Sequence, residues 1–454
     1  MSWNPEVEIA IRNLLVDYPE ILKPKSGGSS RPERVTFPPK VTPIMDNREK
    51  IPEIRIGLAE TIQRLYLRTG ERFQIIDQNG KVRFIGKAQT VLLIRQRNSG
   101  IEILTRQGVS LFKSAGSVSL TYNNPAATSV LLEVQYQHGT FWAGREDRIY
   151  RGNFQFLPRD SGLTIVNQLN LEEYLYGVVP SEMESDWPPE ALAAQAVAAR
   201  TYAVSHHNAF TSRGFDLLAT IASQVYQGVL AERNSTNKAV DATRGQILIF
   251  NDKPISAFYT GNSGGYTASS QDLWGDTLIP YLQAVPDRLL PTGSQIMSPE
   301  ELAQWLILRP VTYSCNPKYS APSHYRWTIW VSRTEIETHL RLADKVGAIN
   351  SIVISERTKS GIVTKVTVNG VNGTFNLTGD AIRSKLGGLR SNMFIIEPKL
   401  AQNGLPEYFI FYGGGFGHGV GMDQSGAAGM AADGYKYDQI LNHYYSGSEL
   451  KQLY

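Results

Sequence analysis

The 454-residue sequence has little cysteine, little net charge and no long apolar run, and each absence excludes a class of protein. Its single cysteine, Cys315, rules out an intramolecular disulfide, which fits a cytosolic protein or an envelope protein without disulfides. A formal charge of +3, without a basic stripe interleaved with aromatic residues, predicts no nucleic-acid partner. No window approaches about 20 consecutive apolar residues, so no membrane-spanning helix is expected. The N-terminus lacks a basic region followed by a continuous apolar stretch, so no export signal is expected in the sequence as it stands.

The rest of the composition is that of a globular protein with a large core and more than one unit. Residues 1–50 combine helical apolar spacing with a stretch rich in Pro, Gly and Ser, and predict an N-terminal helix and a flexible linker. Residues 51–169 alternate apolar and polar side chains in short runs, which predicts a β-rich supporting region. Residues 170–454 hold the motifs with chemical potential and form the third expected region.

The stretch from Tyr174 to Val204, YLYGVVPSEMESDWPPEALAAQAVAARTYAV, organises the rest of the chain. An apolar approach ends in a polar elbow with three acids, Glu182, Glu184 and Asp186. An Ala-rich run follows, and because it is apolar on nearly every face it predicts a buried helix. Asp186 is the expected N-cap of that helix.

Two interpretations of this stretch stay open from the residue types. In the first, a core helix carries a snorkelling Arg200 and the three acids are solvated. In the second, Glu182 is held at the start of the buried helix as a general acid/base, with a pKa raised by a pocket. A buried Arg200 needs a carboxylate or a ligand as partner, but spacing does not say that it meets Glu182.

Two later stretches are rich in glycine. Residues 261–265, GNSGG, formally satisfy the G-x-S-x-G nucleophile pattern, but no suitable helix follows, so a backbone turn near a ligand is favoured over a serine nucleophile. Residues 408–432 satisfy neither the dinucleotide nor the phosphate-loop pattern. Glycine there lets the backbone and His418 approach a bulky ligand. A buried turn with a hydrogen-bonded His418 is the alternative.

These stretches together resemble the SpoIID/LytB family, the sporulation protein D and amidase-enhancer group. The resemblance rests on VVPSEM and SDWPPEALAAQAVAARTYAV, on the S-G-G-x-T pattern at 263–267, and on GFGHGVGMDQSGA at 415–427. It implies that Glu182 is the catalytic acid of a peptidoglycan lytic transglycosylase, which acts outside the cytoplasmic membrane on glycan strands and without a cofactor. The alternative is a non-catalytic, cell-wall-binding amidase enhancer with an amidase or another wall hydrolase as partner.

The resemblance also marks departures from the family pattern. Some relatives hold a zinc ion with a His and a Cys near the S-G-G turn, whereas this chain has Thr260 and Ser263, so no metal is expected. Asp423 replaces the usual Ser, and Gln283 stands where many relatives carry Lys. The expected fold is α+β, with mixed or antiparallel β-sheets around a central buried Ala-rich helix. Arg200 or Tyr281 is expected to orient Glu182. The expected supporting and substrate-binding residues are Arg200, Gln224, Tyr226, Ser263, Gly264, Gly265, Tyr281, His418 and Gln424.

Overall fold

A computed structural model describes residues 51–136, 144–275, 278–288, 299–340 and 346–454. The helix and linker predicted for residues 1–50 lie outside these ranges. The described chain is mixed α+β with mostly antiparallel sheets, which confirms the predicted class. It divides into two compact units, residues 51–248 with 451–454 (the N-unit) and residues 249–450 (the C-unit). The division between these two compact units falls after Leu248. The predicted regions 51–169 and 170–454 are a different kind of division, and their bounds stay a prediction.

The N-unit contains two β-sheets. One has the strand order β13-β1-β12-β11-β8-β3-β4 and the other β10-β9-β2-β5-β6-β7. The strands are β1 (Glu53–Ile62), β2 (Arg64–Thr69), β3 (Phe73–Asp77), β4 (Val82–Gly86), β5 (Val91–Arg97), β6 (Gly100–Thr105), β7 (Ser110–Ser114), β8 (Val118–Tyr122), β9 (Thr128–Tyr136), β10 (Gly144–Arg151), β11 (Asn153–Arg159), β12 (Gly162–Asn170) and β13 (Leu217–Leu218).

Period-two patterning explains why these segments form strands. In β3 the buried positions are Phe73 and Ile75, and in β5 they are Leu92 and Ile94, each separated by a more exposed residue. Such alternation gives each strand one apolar face. Strands β5 and β6 of one sheet pack on β11 and β12 of the other, so the apolar faces share a core.

Three helices follow the sheets in the N-unit, namely α1 (Leu171–Glu182), α2 (Pro189–Ser205) and α3 (Asn234–Ala242). Helix α1 starts directly after β12, where the Asn170 side chain accepts the Glu173 N–H. It continues through Pro180 to Glu182. Every residue from Leu171 to Val179 is buried, so packing outweighs the hydrogen bond that Pro180 cannot donate.

Helix α2 is the predicted Ala-rich helix, and its residues from Ala191 to Ala203 are buried on every face. The expected N-cap, Asp186, is wrong. Pro188 occupies the cap position and Pro189 the first turn, where a missing N–H costs no helical hydrogen bond.

The C-unit carries three small sheets, ordered β17-β22-β21, β18-β19-β20 and β16-β23. The remaining described strands are β14 (Gln246–Phe250), β15 (Lys253–Pro254), β16 (Tyr259–Thr260), β17 (Trp327–Ser332), β18 (Ile349–Arg357), β19 (Val363–Gly370), β20 (Gly373–Thr378), β21 (Met393–Leu400), β22 (Pro406–Gly414), β23 (Met422–Asp423) and β24 (Glu449–Gln452). The residue ranges of β14 and β24 each include residues of both units. The helices are α4 (Ser270–Trp274), α5 (Pro299–Leu308), α6 (Pro322–Tyr325), α7 (Arg333–Leu340), α8 (Ala381–Lys385), α9 (Gln424–Ala432) and α10 (Tyr437–Tyr444).

The main core of the C-unit lies among β17–β19, β21 and β22, with Phe394, Phe409 and Phe411 fully buried. Strands β14 and β15 form a hairpin that turns at Asn251 and Asp252, and both residues have positive φ, as a type I′ turn requires. Over the described ranges, no helix has the length and apolar character needed to cross a membrane.

Candidate active site

Glu182 is the last residue of α1 and is half-buried. Its Oε1 accepts the N–H of Val225 at 2.8 Å. That N–H belongs to the segment ASQVYQG (222–228). This segment and the stretch VVPSEM therefore meet in the N-unit. Sequence analysis expected Glu182 at the start of the next helix. It lies instead at the C-terminal end of α1, where the helix dipole disfavours a negative charge.

Two tyrosines surround this carboxylate. Burial, and next the negative charge of Glu182, raise the pKa of Tyr174 well above its ordinary value. Burial also raises the pKa of Tyr202, and Glu182 adds to this shift. Both hydroxyl groups therefore remain protonated near neutral pH and keep their ability to donate a hydrogen bond. Neither tyrosine was singled out as a site residue, because nothing in the sequence spacing places them near Glu182.

Gln224 and Tyr226 were expected to line a sugar groove, and both are buried instead. The Tyr174 hydroxyl donates to Gln224 Oε1 at 3.2 Å, and Gln224 Nε2 donates to the Ala199 carbonyl. The Tyr226 hydroxyl donates to Asn167 Oδ1 at 3.1 Å. Alternating residues of the segment thus anchor it in the core, which fixes the Val225 N–H that holds Glu182.

Arg200 was expected to orient Glu182, but its carboxylate partner is Glu172, ten residues earlier in α1. Arg200 Nε donates to Glu172 Oε1 at 2.7 Å and Nη2 to Oε2 at 2.8 Å. Both side chains are buried, and further Arg200 donors reach the carbonyls of Val240 and Gln246. The guanidinium therefore joins α1, α2 and α3, and its full burial prevents contact with a substrate.

A cleft of about 230 Å³ lies in the N-unit beside the elbow. Its lining is mostly polar and charged, which suits a hydrated ligand such as a sugar better than an apolar one. The lining residues are Glu146, Arg148, Pro180, Glu184, Ser185, Gln227, Leu230, Ala231 and Arg233.

In the C-unit, the S-G-G turn pairs with the glycine-rich stretch near the C-terminus. Strands β16 and β23 run parallel, with Thr260 opposite Asp423. The Ser263 N–H donates to Asp423 Oδ2 at 2.6 Å, although the two residues are 160 positions apart. The structure therefore brings the S-G-G turn and the glycine-rich stretch together.

The turn requires its two glycines. Gly264 and Gly265 both have positive φ, at +74° and +102°. A Cβ on Gly264 would lie 2.7 Å from the Gly414 carbonyl carbon, and one on Gly265 would lie 2.8 Å from the Trp305 ring. The pairing of this turn with the glycine-rich stretch is thus too close for any side chain.

Ser263, Gln424 and His418 occupy different positions around this pairing. Ser263 and Gln424 are buried, and the Ser263 hydroxyl accepts the Gly265 N–H at 3.2 Å. Helix α4 begins only at Ser270, so the strand–turn–helix of a serine nucleophile is not formed. His418 is partly buried, its Nδ1 accepts the Val420 N–H at 3.0 Å, and burial lowers its pKa to about 4. It is therefore neutral at physiological pH.

Asp423 forms a buried carboxyl pair with Asp287. Burial raises the pKa of Asp423 to about 6, and burial together with Asp423 raises that of Asp287 well above its usual range. Asp287 Oδ1 accepts the Tyr444 hydroxyl at 2.5 Å, and Oδ2 accepts the Ser314 N–H at 2.7 Å. Two carboxyl groups so close in the protein interior cannot both be ionised at low cost, so the pair retains a proton near neutral pH.

The family model described as "Stage II sporulation protein" (SpoIID) matches residues 159–250, and a domain of unknown function (DUF8618) matches residues 268–421. The stage II sporulation protein D of Bacillus subtilis (strain 168) is 31% identical over 303 residues, 63% of this chain and 76% of that protein. The chain belongs to the SpoIID/LytB family.

Other relatives differ in how much of their length is shared. An uncharacterized protein of Brachyspira hyodysenteriae is 33% identical over 66% of this chain and 72% of its own length. The amidase enhancer of Bacillus subtilis is 32% identical over 61% of this chain, but the match spans only 40% of that protein. The SpoIID model match contains Glu182 and the segment that holds it.

For the zinc ion that the resemblance implies in some relatives, Thr260 and Ser263 stand at the ligand positions of this chain. The Thr260 hydroxyl donates to the Phe416 carbonyl at 3.3 Å and accepts the Gly419 N–H at 3.1 Å. Ser263 bonds to the turn as described above. Neither hydroxyl is a usual zinc ligand, and both are engaged in hydrogen bonds, so these residues do not fit the metal.

The resemblance to the SpoIID/LytB family predicts that Tyr281 supports Glu182. Within the C-unit, its hydroxyl accepts the Ser256 N–H at 3.4 Å, and its ring packs 5.5 Å from that of Phe250. Gln283, where many relatives carry Lys, donates to the Ile279 carbonyl at 2.6 Å. The proposed support of Glu182 by Tyr281 stays a prediction.

Proposed function

We propose that this protein is a peptidoglycan lytic transglycosylase with Glu182 as its single acid/base. The observation that carries the proposal is the position of Glu182 in the SpoIID motif. Glu182 is half-buried at a helix C-terminus, and one of its oxygens accepts a backbone N–H. A general acid must be held in a fixed direction, and the hydrogen bond from the Val225 N–H supports this role for Glu182.

The reaction uses Glu182 twice. As an acid, Glu182 protonates the glycosidic oxygen as the bond to C1 of N-acetylmuramic acid breaks. The 6-hydroxyl of the same sugar then attacks C1, and the Glu182 carboxylate takes its proton. Most glycosidases need a second carboxylate as nucleophile or base, but here the substrate supplies the nucleophile. The products are a 1,6-anhydro sugar and a new non-reducing end, and no water is consumed.

The surroundings of Glu182 support the first of these steps. The C-terminal end of α1 and the two protonated tyrosines, Tyr174 and Tyr202, lie near the carboxyl group. The dipole of α1 favours the neutral acid, and the Val225 N–H fixes the direction of Oε1. The substrate is expected in the cell envelope, outside the cytoplasmic membrane.

The test is mass spectrometry of purified peptidoglycan, with and without stem peptides, after incubation with the protein. We expect products ending in 1,6-anhydro-N-acetylmuramic acid, and a rate about 10²- to 10⁴-fold lower for Glu182→Gln. Asp186→Asn, an exposed acid four residues away, is the matched control and should cleave normally. Reducing-end products would mean hydrolysis, and wild-type cleavage by Glu182→Gln would exclude Glu182 as the acid.

A second candidate is a wall-binding protein that stimulates an amidase without cutting glycan. The similarity to a protein named amidase enhancer favours it. The purified protein would then leave both forms of peptidoglycan intact but increase the release of stem peptides by an added amidase. Glu182→Gln would stimulate the amidase as well as the wild type does.

A further inference from the structure

Phe416 exposes its ring at the variable position of the glycine-rich motif GFGHG. Phe416 is 41% exposed, and Gly415 and Gly417 flank it. A single exposed apolar side chain is ordinary on a protein surface, so a ligand contact here depends on the groups beside the ring. Sequence analysis did not single out Phe416 because glycine dominated the pattern.

The backbone of Phe416 is held rigidly against the S-G-G turn. Its N–H donates to the Asn262 carbonyl at 2.8 Å, and the Asn262 N–H donates to the Phe416 carbonyl at 3.0 Å. A Cβ on Gly261 would lie 3.1 Å from the ring Cδ1 of Phe416. The absence of a side chain at Gly261 therefore leaves space for the ring. Hydrogen bonds of the S-G-G turn connect Phe416 to the region that contains Ser263 and Asp423.

His324 stacks on the Phe416 ring. The two ring centroids are 4.1 Å apart, and the planes differ by 10°. Burial lowers the pKa of His324, and the neighbouring Arg390 lowers it further, so the imidazole is neutral at physiological pH. The stack thus forms a flat aromatic platform without a charge of its own.

Arg390 adds a positive charge over the Phe416 ring. Its guanidinium carbon lies 5.9 Å from the Phe416 ring centroid, and its carbonyl accepts the Gly417 N–H at 2.9 Å. Within the described ranges, its side-chain hydrogen bond is a single long one, from Nη1 to Ser323 Oγ at 3.4 Å, and no carboxylate pairs with it. Burial alone lowers its pKa, in agreement with a missing counter-charge.

Three other buried or half-buried arginines of the C-unit, Arg326, Arg357 and Arg383, are satisfied by carbonyls or a carboxylate. Arg326 donates to the carbonyls of Leu306, Gly264, Tyr325 and Trp305. Arg357 donates to two carbonyls, and Arg383 pairs with Asp380. Arg390 is the exception among these four arginines, and a guanidinium with unused donors is suited to a carboxylate, which it can bind with two parallel hydrogen bonds.

We propose that Phe416, His324 and Arg390 form a subsite for a sugar that carries a carboxylate. The apolar face of the pyranose ring contacts the exposed part of Phe416, and the carboxylate pairs with Arg390. This rests on the proposed function for the identity of the polymer, but the binding itself does not require cleavage. In peptidoglycan the carboxylate has two sources, the lactyl group of N-acetylmuramic acid and the stem peptide.

The test is isothermal titration of the full chain in the Glu182→Gln background, so that binding is measured without cleavage. The probes are a tetrasaccharide of N-acetylglucosamine, a peptide-free tetrasaccharide of alternating N-acetylglucosamine and N-acetylmuramic acid, the same molecule with amidated lactyl groups, and a form with stem peptides. Arg390→Gln should weaken binding of a carboxylate-bearing sugar by about 10- to 100-fold and leave the N-acetylglucosamine tetrasaccharide unaffected. Phe416→Ala should weaken both.

The arms of the experiment separate the sources and the failures. Loss of the Arg390 effect on amidation assigns the lactyl carboxylate, and an effect confined to the peptide-bearing probe assigns the stem peptide. Arg333→Gln, whose side chain pairs with Glu337 within α7, is the control and should bind normally. Equal weakening of all probes by Arg390→Gln, or no weakening, would overturn the subsite. If the wild type leaves the glycan intact but Arg390→Gln still weakens binding, the proposed transglycosylase activity is excluded and the proposed subsite is supported.

Discussion

Each unit buries a charged cluster beneath one of its motifs, and the two clusters are balanced in opposite ways. In the N-unit, Arg200 of α2 and Glu172 of α1 form a bidentate pair of opposite charges, and α1 ends at Glu182. In the C-unit, Asp287 and Asp423 are like charges, both fully buried beside the S-G-G turn. The first cluster pairs charges that compensate each other, whereas in the second a proton relieves the repulsion between two carboxylates.

This difference predicts how each unit responds to mutation and to pH. A balanced pair is insensitive to pH but depends on both partners, since either charge alone is very costly in the interior. A like-charge pair tolerates the neutralisation of one partner but loses stability when its proton leaves. The N-unit motif should therefore be sensitive to mutation of the pair, and the C-unit motif to alkaline conditions.

Breaking the balanced pair should have the largest effect. Arg200→Met leaves Glu172 buried without its counter-charge, and we expect the free energy of unfolding to fall by about 3–5 kcal/mol. Urea unfolding followed by circular dichroism measures this change. The double variant Arg200→Met/Glu172→Leu should recover part of the loss, because both charges are then absent. A double variant as unstable as Arg200→Met would show that the loss comes from packing and not from charge.

Removing the like-charge repulsion should change the pH dependence of the C-unit. The folded pKa of Asp423 is raised to about 6 from about 3.8, so the folded state binds more protons than the unfolded state between these values. Stability is then highest below about pH 4 for this group and falls as pH rises through 6, by about 3 kcal/mol at most. Asp287 acts in the same direction.

The check is the melting temperature from pH 4 to pH 8 for the wild type and for Asp423→Ser. The serine removes one carboxyl group, so the downward slope of stability with pH should become shallower. The difference between the two curves isolates the pair from the other titrating groups. Parallel curves would contradict a raised pKa at Asp423.

The sequence allowed part of these clusters to be predicted. A buried Arg200 in an apolar helix needed a carboxylate or a ligand as partner, and the partner in the structure is the carboxylate of Glu172. Its identity was not predictable, because α1 continues through Pro180 and its packing puts Glu172, rather than Glu182, beside the guanidinium. Local propensity stops a helix at proline, whereas tertiary packing decided the outcome here.

The α+β class, the Ala-rich helix and the family were also predicted, because each depends on local patterns. The pairing of Ser263 with Asp423 across 160 residues, and the presence of Asp287 beside them, depend on long-range packing. Phe416 and Arg390 were missed for the same reason. Arg390 stands in no recognisable pattern and Phe416 at the variable position of its motif, so their relation appears only when the glycine-rich stretch folds.

Gly426→Ala should disturb the like-charge cluster by shape alone. A Cβ there would lie 2.2 Å from Asp287 Oδ1 and 2.2 Å from the Tyr444 hydroxyl oxygen. Alanine is ordinarily the better helix former, but the overpacking should outweigh this and lower the free energy of unfolding by about 1–3 kcal/mol. Ala432→Gly, at the exposed end of the same helix, is the comparison and should cost less than about 1 kcal/mol in urea unfolding. A Gly426→Ala protein of wild-type stability would mean that the carboxyl pair can rearrange.

Tyr454→Phe should have the smallest effect, because it trims the balanced cluster without unbalancing it. The Tyr454 hydroxyl donates to Glu172 Oε1, which also accepts from Arg200 and from the Gly245 N–H at 3.2 Å. Loss of one of several hydrogen bonds to this carboxylate should cost about 1 kcal/mol. Since the charges of Arg200 and Glu172 still compensate each other, the slope of stability with pH should equal that of the wild type, in contrast to Asp423→Ser. A changed slope between pH 4 and pH 8 would show that the charge balance alone does not set the pH response of this cluster, and the two clusters would then differ less than their charges imply.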